Sequence, residues 1–172
     1  MDDFVEFVRA RSAVLARVAY LLTGDFHLAE DLLQDALARL ADRWPEVVRR
    51  GDPEPYLRRI LYHRAVDGWR FRRRQFPVQP LTDHEHALSS PGDDAEQVAR
   101  RLVLRAALAR LTPRQRAVLV LRFYEDHTEA ETAALLGCSV NTVKSQTRHA
   151  LGRLRALAPE LAETFDRDGS TA

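Results

Sequence analysis

Apolar residues recur at helical spacing along nearly the whole chain, and nowhere do they alternate as a half-buried strand would. Phe4, Val8, Leu15, Val18 and Leu22 share one side of a helix that stops near Gly24. Asp25 can cap a second, whose stripe of Leu28, Leu32, Leu33, Ala36, Leu37 and Leu40 runs toward Trp44, where Pro45 interrupts it. Two such stripes predict a helix pair. Pro53 and Pro55 open a third helix, YLRRILYHRAVDGWRFRRR, crowded with arginine in its last turns. Beyond residue 94, Val98, Leu102, Ala106 and Leu108 predict a helix ending at Leu111. Thr112 and Pro113 then restart one, RQRAVLVLRFYE, as N-cap and first-turn proline. Between these runs, FPVQPLTDHEHALSSPGDD carries proline, glycine and serine but no stripe, the pattern of a flexible linker that lets its flanks sit well apart. The fold class is all-α: two small helical domains, residues 1–76 and 97–158, joined by a linker over 77–96 and followed by a tail over 159–172.

The local turn chemistry is most explicit between Thr128 and Arg155. Thr128 and Glu131 form a T-x-x-E capping box, in which each side chain satisfies an orphan backbone N–H at a helix start. The helix is short because Gly137 can take the left-handed conformation of a tight C-terminal turn, and Ser139 is a good N-cap for the next helix. There, Val140, Val143, Thr147, Ala150, Leu151 and Leu154 fall on one side. Asn141, Ser145 and Arg148 lie opposite, with Lys144 and Gln146 at the flanks. Small Ala133 lies one turn before the glycine, which lets two helices cross closely. This is a helix-turn-helix with a basic outer face, and DNA is the partner it implies.

The net charge of +1 conceals a segregation: residues 1–55 are net −4, 56–76 net +6, 77–97 net −5, and 98–127 net +5. Of 26 basic residues only Lys144 is lysine, so phosphate contacts fall almost wholly to guanidinium groups. The single cysteine, Cys138, excludes an internal disulfide and a cysteine-based zinc cluster, which suits a reducing cytoplasm. The start, MDDFVEF, lacks a basic leader, and no run of about 18 apolar residues exists, so neither export nor membrane insertion is expected.

The C-terminal segment LTPRQRAVLVLRFYEDHTEAETAALLGCSVNTVKSQTRHALGRLR resembles region four of the extracytoplasmic-function class of bacterial sigma factors. The likeness is to their small two-domain actinobacterial type, and it covers most of residues 4–158. AEDLLQDALARLADRW, Ala29 to Trp44, is similar to sigma region two, whose D-x-x-Q-[DE] pattern here is Asp31, Gln34 and Asp35. The resemblance implies a transcription initiation factor, not an enzyme, that binds core RNA polymerase through those three residues. It implies binding of promoter DNA at two elements. The recognition helix, with Asn141, Thr142, Lys144, Ser145, Gln146 and Arg148, would read the duplex minus-thirty-five element. The third helix would hold the melted minus-ten strand through Tyr56, Arg59, Tyr62, His63, Arg64, Trp69, Arg70 and Arg73. Interleaved arginines and rings suit phosphates and unpaired bases. Trp44, on the apolar side of its helix, belongs with the core, whereas Tyr56, Tyr62 and Trp69 fit core or base equally. His63 stands where the family often has asparagine, and Asn141 where glycine often precedes T-V-K-S.

In that family the interdomain segment passes through the polymerase's nucleic-acid channel. An acidic linker suits that route and suits a solubilising spacer equally. The family often has anti-sigma partners, and nothing in these residues names one. No cofactor is implied. His84, Glu85 and His86 in the linker form the only metal-like cluster, and adjacent histidines on an acidic loop are ordinarily solvated. The rival readings are a polymerase-independent helix-turn-helix repressor or activator and a small metalloenzyme built on those histidines.

Overall fold

The computed structural model describes residues 2–72 and 95–159, with no side-chain description for residues 2, 69–72, 95, 97, 98 and 101. Expectations that fall on the linker, the tail, Arg73 and the side chains of Trp69 and Arg70 therefore lie outside the described residues. All regular structure among the described residues is helical.

Helix α1 (Asp2–Thr23) packs on α2 (Phe26–Ala41) across a turn at Gly24, whose φ of +73° lies in the left-handed region that glycine takes without strain. Asp25 caps α2 by accepting from the Leu28 N–H at 2.8 Å. Leu15, Val18, Ala19 and Leu22 on α1 meet Leu32, Leu33, Ala36, Leu37 and Leu40 on α2, the predicted stripes. Pro45 does more than interrupt: it sits in the first turn of a short α3 (Trp44–Arg50) that the pattern did not reveal as a separate helix. Trp44 packs edge-on against Phe4, ring centroids 5.0 Å apart, and against Phe7 at 5.4 Å. Helix α4 (Glu54–Arg72) completes this half, with Leu57 and Leu61 fully buried.

Helix α5 (Ala95–Ala109) is present, and its stripe is partly out of phase with the one read from the sequence. Leu102 and Ala106 are exposed, whereas Leu108 packs inward as expected toward Leu111, joined by Val103, Leu104 and Ala107. A helix so rich in alanine and leucine permits more than one apolar phase, and packing decides between them. Helix α6 (Pro113–Leu119) starts at a full capping box of Thr112 and Gln115. It passes into a π-helical turn over Val120–Tyr124, which widens the backbone so that the Glu125 N–H reaches the Val120 carbonyl. Helices α7 (Glu129–Leu136) and α8 (Val140–Leu157) follow.

The two halves do not sit apart. One continuous core contains Leu15, Leu40, Leu57 and Leu61 from the first half together with Val118, Leu121, Leu136 and Val143 from the second. A smaller cluster of Ala107, Leu111, Leu119, Ala150, Leu154 and Ala158 belongs to the second half alone. The composition of residues 77–96 permits separation of the halves and carries no information about the apolar surfaces that meet beyond it.

Candidate nucleic-acid interface

The turn between α7 and α8 is built as its residues dictate. Thr128 Oγ1 accepts from the Glu131 N–H at 3.2 Å, and Glu131 Oε2 accepts from the Thr128 N–H at 2.7 Å. Those bonds hold the Glu131 carboxyl below its usual range. Gly137 adopts φ 61° and ψ 42°, the left-handed cap, and the Cys138 N–H reaches the Ala133 carbonyl at 3.0 Å. Ser139 Oγ then accepts from the Thr142 N–H at 3.1 Å to start α8.

Helix α8 is anchored by Val143, Ala150 and Leu154, all buried, with Thr147 and Leu151 half-buried beside them. Val140, assigned to the packed side from its spacing, is instead exposed in the first turn of α8. Asn141, Lys144 and Arg148 are exposed, and Thr142, Ser145 and Gln146 are half-buried at the edges. Lys144 Nζ lies 3.6 Å from Glu129 Oε2 of α7, and the Thr142 hydroxyl is engaged with Ser139 at 2.9 Å. The outer face is a set of donors and acceptors that fit base edges and phosphates.

On α2, Asp31 and Gln34 are exposed. Gln34 borders an open apolar trough between α1 and α2, lined by Ala13, Ala16, Leu33 and Leu37. Asp35 is tied down: its Oδ2 accepts from Arg39 Nε at 3.1 Å and from Arg64 Nε of α4 at 2.7 Å. Partial burial pushes its carboxyl up, and the hydrogen bonds from Arg39 and Arg64 outweigh this and hold it below the usual range.

Helix α4 distributes its candidates unevenly. Arg59 and Arg64 are exposed, and Tyr56 and His63 half-buried. Tyr62 is fully buried, and its hydroxyl donates to Glu125 Oε2 at 2.6 Å. Burial raises that hydroxyl well above the usual phenol range, so it remains a donor. In this arrangement its ring faces the core, one of the two roles its position allowed. Glu125, with a side chain 7% exposed, also pairs with Arg58, which reaches back to Glu54 at 2.8 Å. Glu125 and Arg116 escaped the sequence reading. Arg116 carried a signal, since it falls on the apolar side of α6 one turn before Val120.

A recognition helix set on a tight turn, with its polar residues outward, defines a DNA-binding protein of the helix-turn-helix class. The family models for sigma-70 region 2 and for sigma-70, region 4 match residues 7–75 and 101–154. The RNA polymerase sigma-E factor of Streptomyces coelicolor is 43% identical over 155 residues, covering 89% of this chain and 84% of its own length. The ECF RNA polymerase sigma factor SigL of Mycobacterium tuberculosis is 34% identical over 157 residues, covering 89% and 87%. In fold, the chain is similar to the sigma factor RpoE solved in complex with the anti-sigma factor NepR from Bartonella quintana. That match has a TM-score of 0.70 at 23% identity and covers 92% of this chain and 98% of that one.

The chain therefore belongs to the sigma-70 family of RNA polymerase sigma factors, in its extracytoplasmic-function class. It is a transcription initiation factor that binds core RNA polymerase and directs it to promoters, and the reading as a polymerase-independent repressor or activator falls away.

Proposed function

We propose a division of labour within that activity. Residues 1–76 hold core polymerase through Asp31, Gln34 and Asp35 and hold the melted minus-ten strand through α4. Residues 97–158 read the minus-thirty-five duplex through α8. The observation that carries the proposal is the outer face of α8, where Asn141, Lys144 and Arg148 stand exposed on a helix pinned by Val143, Ala150 and Leu154. Lys144 and Arg148 suit guanine edges or phosphates, and Asn141 and Gln146 can pair with adenine. Thr142 and Ser145 reach phosphate oxygens from the rim.

The acidic ridge of α2 presents Asp31 and Gln34 to basic partner groups beside an apolar trough, a polar rim next to a greasy floor. On α4, Tyr56, Arg59, His63 and Arg64, continued by Trp69, Arg70 and Arg73, supply stacking surfaces and cations for an unpaired strand, while Tyr62, with its hydroxyl on Glu125, faces the core. Capturing extruded bases offsets the few kcal/mol of unstacking, so melting is driven by trapping the open state and requires no nucleotide hydrolysis by this chain. The site of action is the cytoplasm, with the chromosome and the polymerase. Among the described residues no helix is long and apolar enough to cross a membrane.

The test is run-off transcription with sigma-free core polymerase on fragmented genomic DNA. Start sites sharing two spaced elements are expected. Asp31→Arg should abolish them, and Arg148→Ala should weaken upstream recognition by about 1–3 kcal/mol if it pairs with guanine, or reduce the salt slope by about one if it meets phosphate. Transcription undiminished by Asp31→Arg would refute the assignment of the ridge.

A further inference from the structure

Of the 26 basic side chains, only Lys144 bears an amine, and it stands in the middle of the face assigned to the upstream duplex. The difference is chemical as well as geometric. A guanidinium stays protonated and is no nucleophile at neutral pH, whereas an unprotonated lysine amine attacks activated acyl groups. The Lys144 side chain is 60% exposed, which leaves Nζ open to a reagent arriving from solvent.

Two groups of opposite charge flank that amine. Glu129, the first residue of α7, brings Oε2 to 3.6 Å from Nζ, with its own side chain only 33% exposed. Among the described residues Lys144 is its one ion-pair partner. The other acid of that turn, Glu131, is occupied differently, accepting from the Thr128 N–H and hydroxyl, both at 2.7 Å. Arg148 follows Lys144 by four residues, one turn along the same side of α8, and is exposed. An amine, a carboxylate that can take its proton and a guanidinium that can hold a phosphate group thus lie around one turn of the recognition helix.

Acylation at this place does more than delete a charge. In the unmodified chain the Lys144 ammonium masks Glu129, and the pair is neutral beside the phosphates of a bound duplex. Converting the ammonium to an amide replaces a cation with three donors by a neutral group with one, and it leaves the carboxylate uncovered. Glu129 is held there by its backbone position, since the first turn of α7 favours an anion. That point of the reading face therefore turns from neutral to negative.

We propose that Lys144 is a single-site acylation switch of upstream promoter recognition, in which loss of the ammonium and uncovering of Glu129 together weaken binding of the minus-thirty-five duplex. The proposal rests on the assignment of α8 to that duplex. The donor is an activated acyl group carried on phosphate or on a thiol. Nζ passes a proton to Glu129 or to water and attacks the acyl carbon. The bond from that carbon to the leaving oxygen or sulfur breaks, phosphate or thiolate departs with the electron pair, and a neutral amide remains. Arg148 draws such anionic donors to the same place.

To test the site, the full chain is incubated separately with acetyl phosphate and with acetyl-coenzyme A. Hydroxylamine then strips any thioester formed on Cys138, and the product is mapped by mass spectrometry. One side-chain amide, on Lys144, is expected with at least one donor, and the donor that reacts identifies the source. No amide at Lys144 with either donor overturns the proposal.

To test the consequence, a full chain carrying Nε-acetyllysine at position 144 is compared with the unmodified chain in run-off transcription from the start sites the latter selects. A loss of at least fivefold is expected, with the salt slope for the upstream duplex reduced by about one. Equal transcription overturns the proposal. Lys144→Arg gives a chain with no side-chain amine, whose transcription, at whatever level, should not respond to either donor; a response of wild-type size overturns the assignment to Lys144. In a Glu129→Gln background acetyllysine should lower transcription severalfold less, because no carboxylate is uncovered, and an undiminished loss overturns the role given to Glu129. Arg148→Ala separates this inference from the assignment beneath it. If that variant leaves upstream recognition intact, the assignment of α8 fails; if it weakens recognition while acetyllysine does not, only the acylation switch fails.

Discussion

Helices α8 and α4 are assigned parallel tasks, yet the structure treats them in opposite ways. Helix α8 buries Val143, Ala150 and Leu154 and leaves Asn141, Lys144 and Arg148 in solvent. Helix α4 buries Leu57, Leu61 and Tyr62 and commits Arg58 and Arg64 to carboxylates, so much of its polar complement is already spent inside the protein. The contrast teaches that availability is not written into a helix alone. The face of α8 is fixed by caps and turns within a few residues of it, whereas the face of α4 is governed by residues such as Glu125, 63 positions from Tyr62.

The largest test of that contrast concerns the shared core. Leu121 is fully buried in the cluster that joins both halves, so Leu121→Ala should cost about 2–5 kcal/mol. If the halves are one cooperative unit, calorimetry of the full chain should show one transition, lowered by roughly 5–15 °C. Two transitions, only one of them displaced, would break the comparison by showing that α4 is not held by its distant partners.

The same distinction explains what could be read from the sequence. The helix-turn-helix was legible because Thr128, Glu131, Gly137 and Ser139 each act on a backbone group within a few positions. The α1–α2 pair was legible because its leucine stripes are unambiguous in phase. Helix α5 was misphased because several sides of it are apolar. The π-helical turn left no mark, since VLRFY satisfies the α-helical pattern equally well. Of the candidate site, the face of α8 and the ridge of α2 were legible as surfaces. The engagement of Tyr62 by Glu125 was not, because a tyrosine among arginines suits a stacking ring and a buried donor alike.

A smaller effect sharpens the local side of the comparison. Ser139→Ala removes the hydroxyl that accepts from Thr142 N–H, at a cost of about 1 kcal/mol. Amides in the first turn of α8 should exchange with solvent about fivefold faster, while those of α4 around Leu57 and Leu61 hold steady. Acceleration of equal size in α4 would mean that the cap stabilises the docked body as a whole and that the recognition helix is not locally specified.

The smallest effect joins the two surfaces of the first half. Asp35 and Arg64 are assigned to polymerase and to the minus-ten strand respectively, yet they bind each other at 2.7 Å, with Arg39 as the second donor. Asp35 has a folded-state carboxyl below its ordinary value of 3.8, so the pair stabilises the fold above that pH, and the contribution is lost as pH falls through the lower folded value. With Arg64 45% and Asp35 37% exposed, solvent screening keeps the contribution to a few tenths of a kcal/mol. Arg64→Ala should therefore barely move the melting temperature, while an NMR titration should show the Asp35 carboxyl rising toward its ordinary range, with Arg39 preventing a full return. An Asp35 titration unchanged by Arg64→Ala would mean that Arg39 alone sets it. The acidic ridge and α4 would then be electrically independent, each free to meet its partner without first releasing the other.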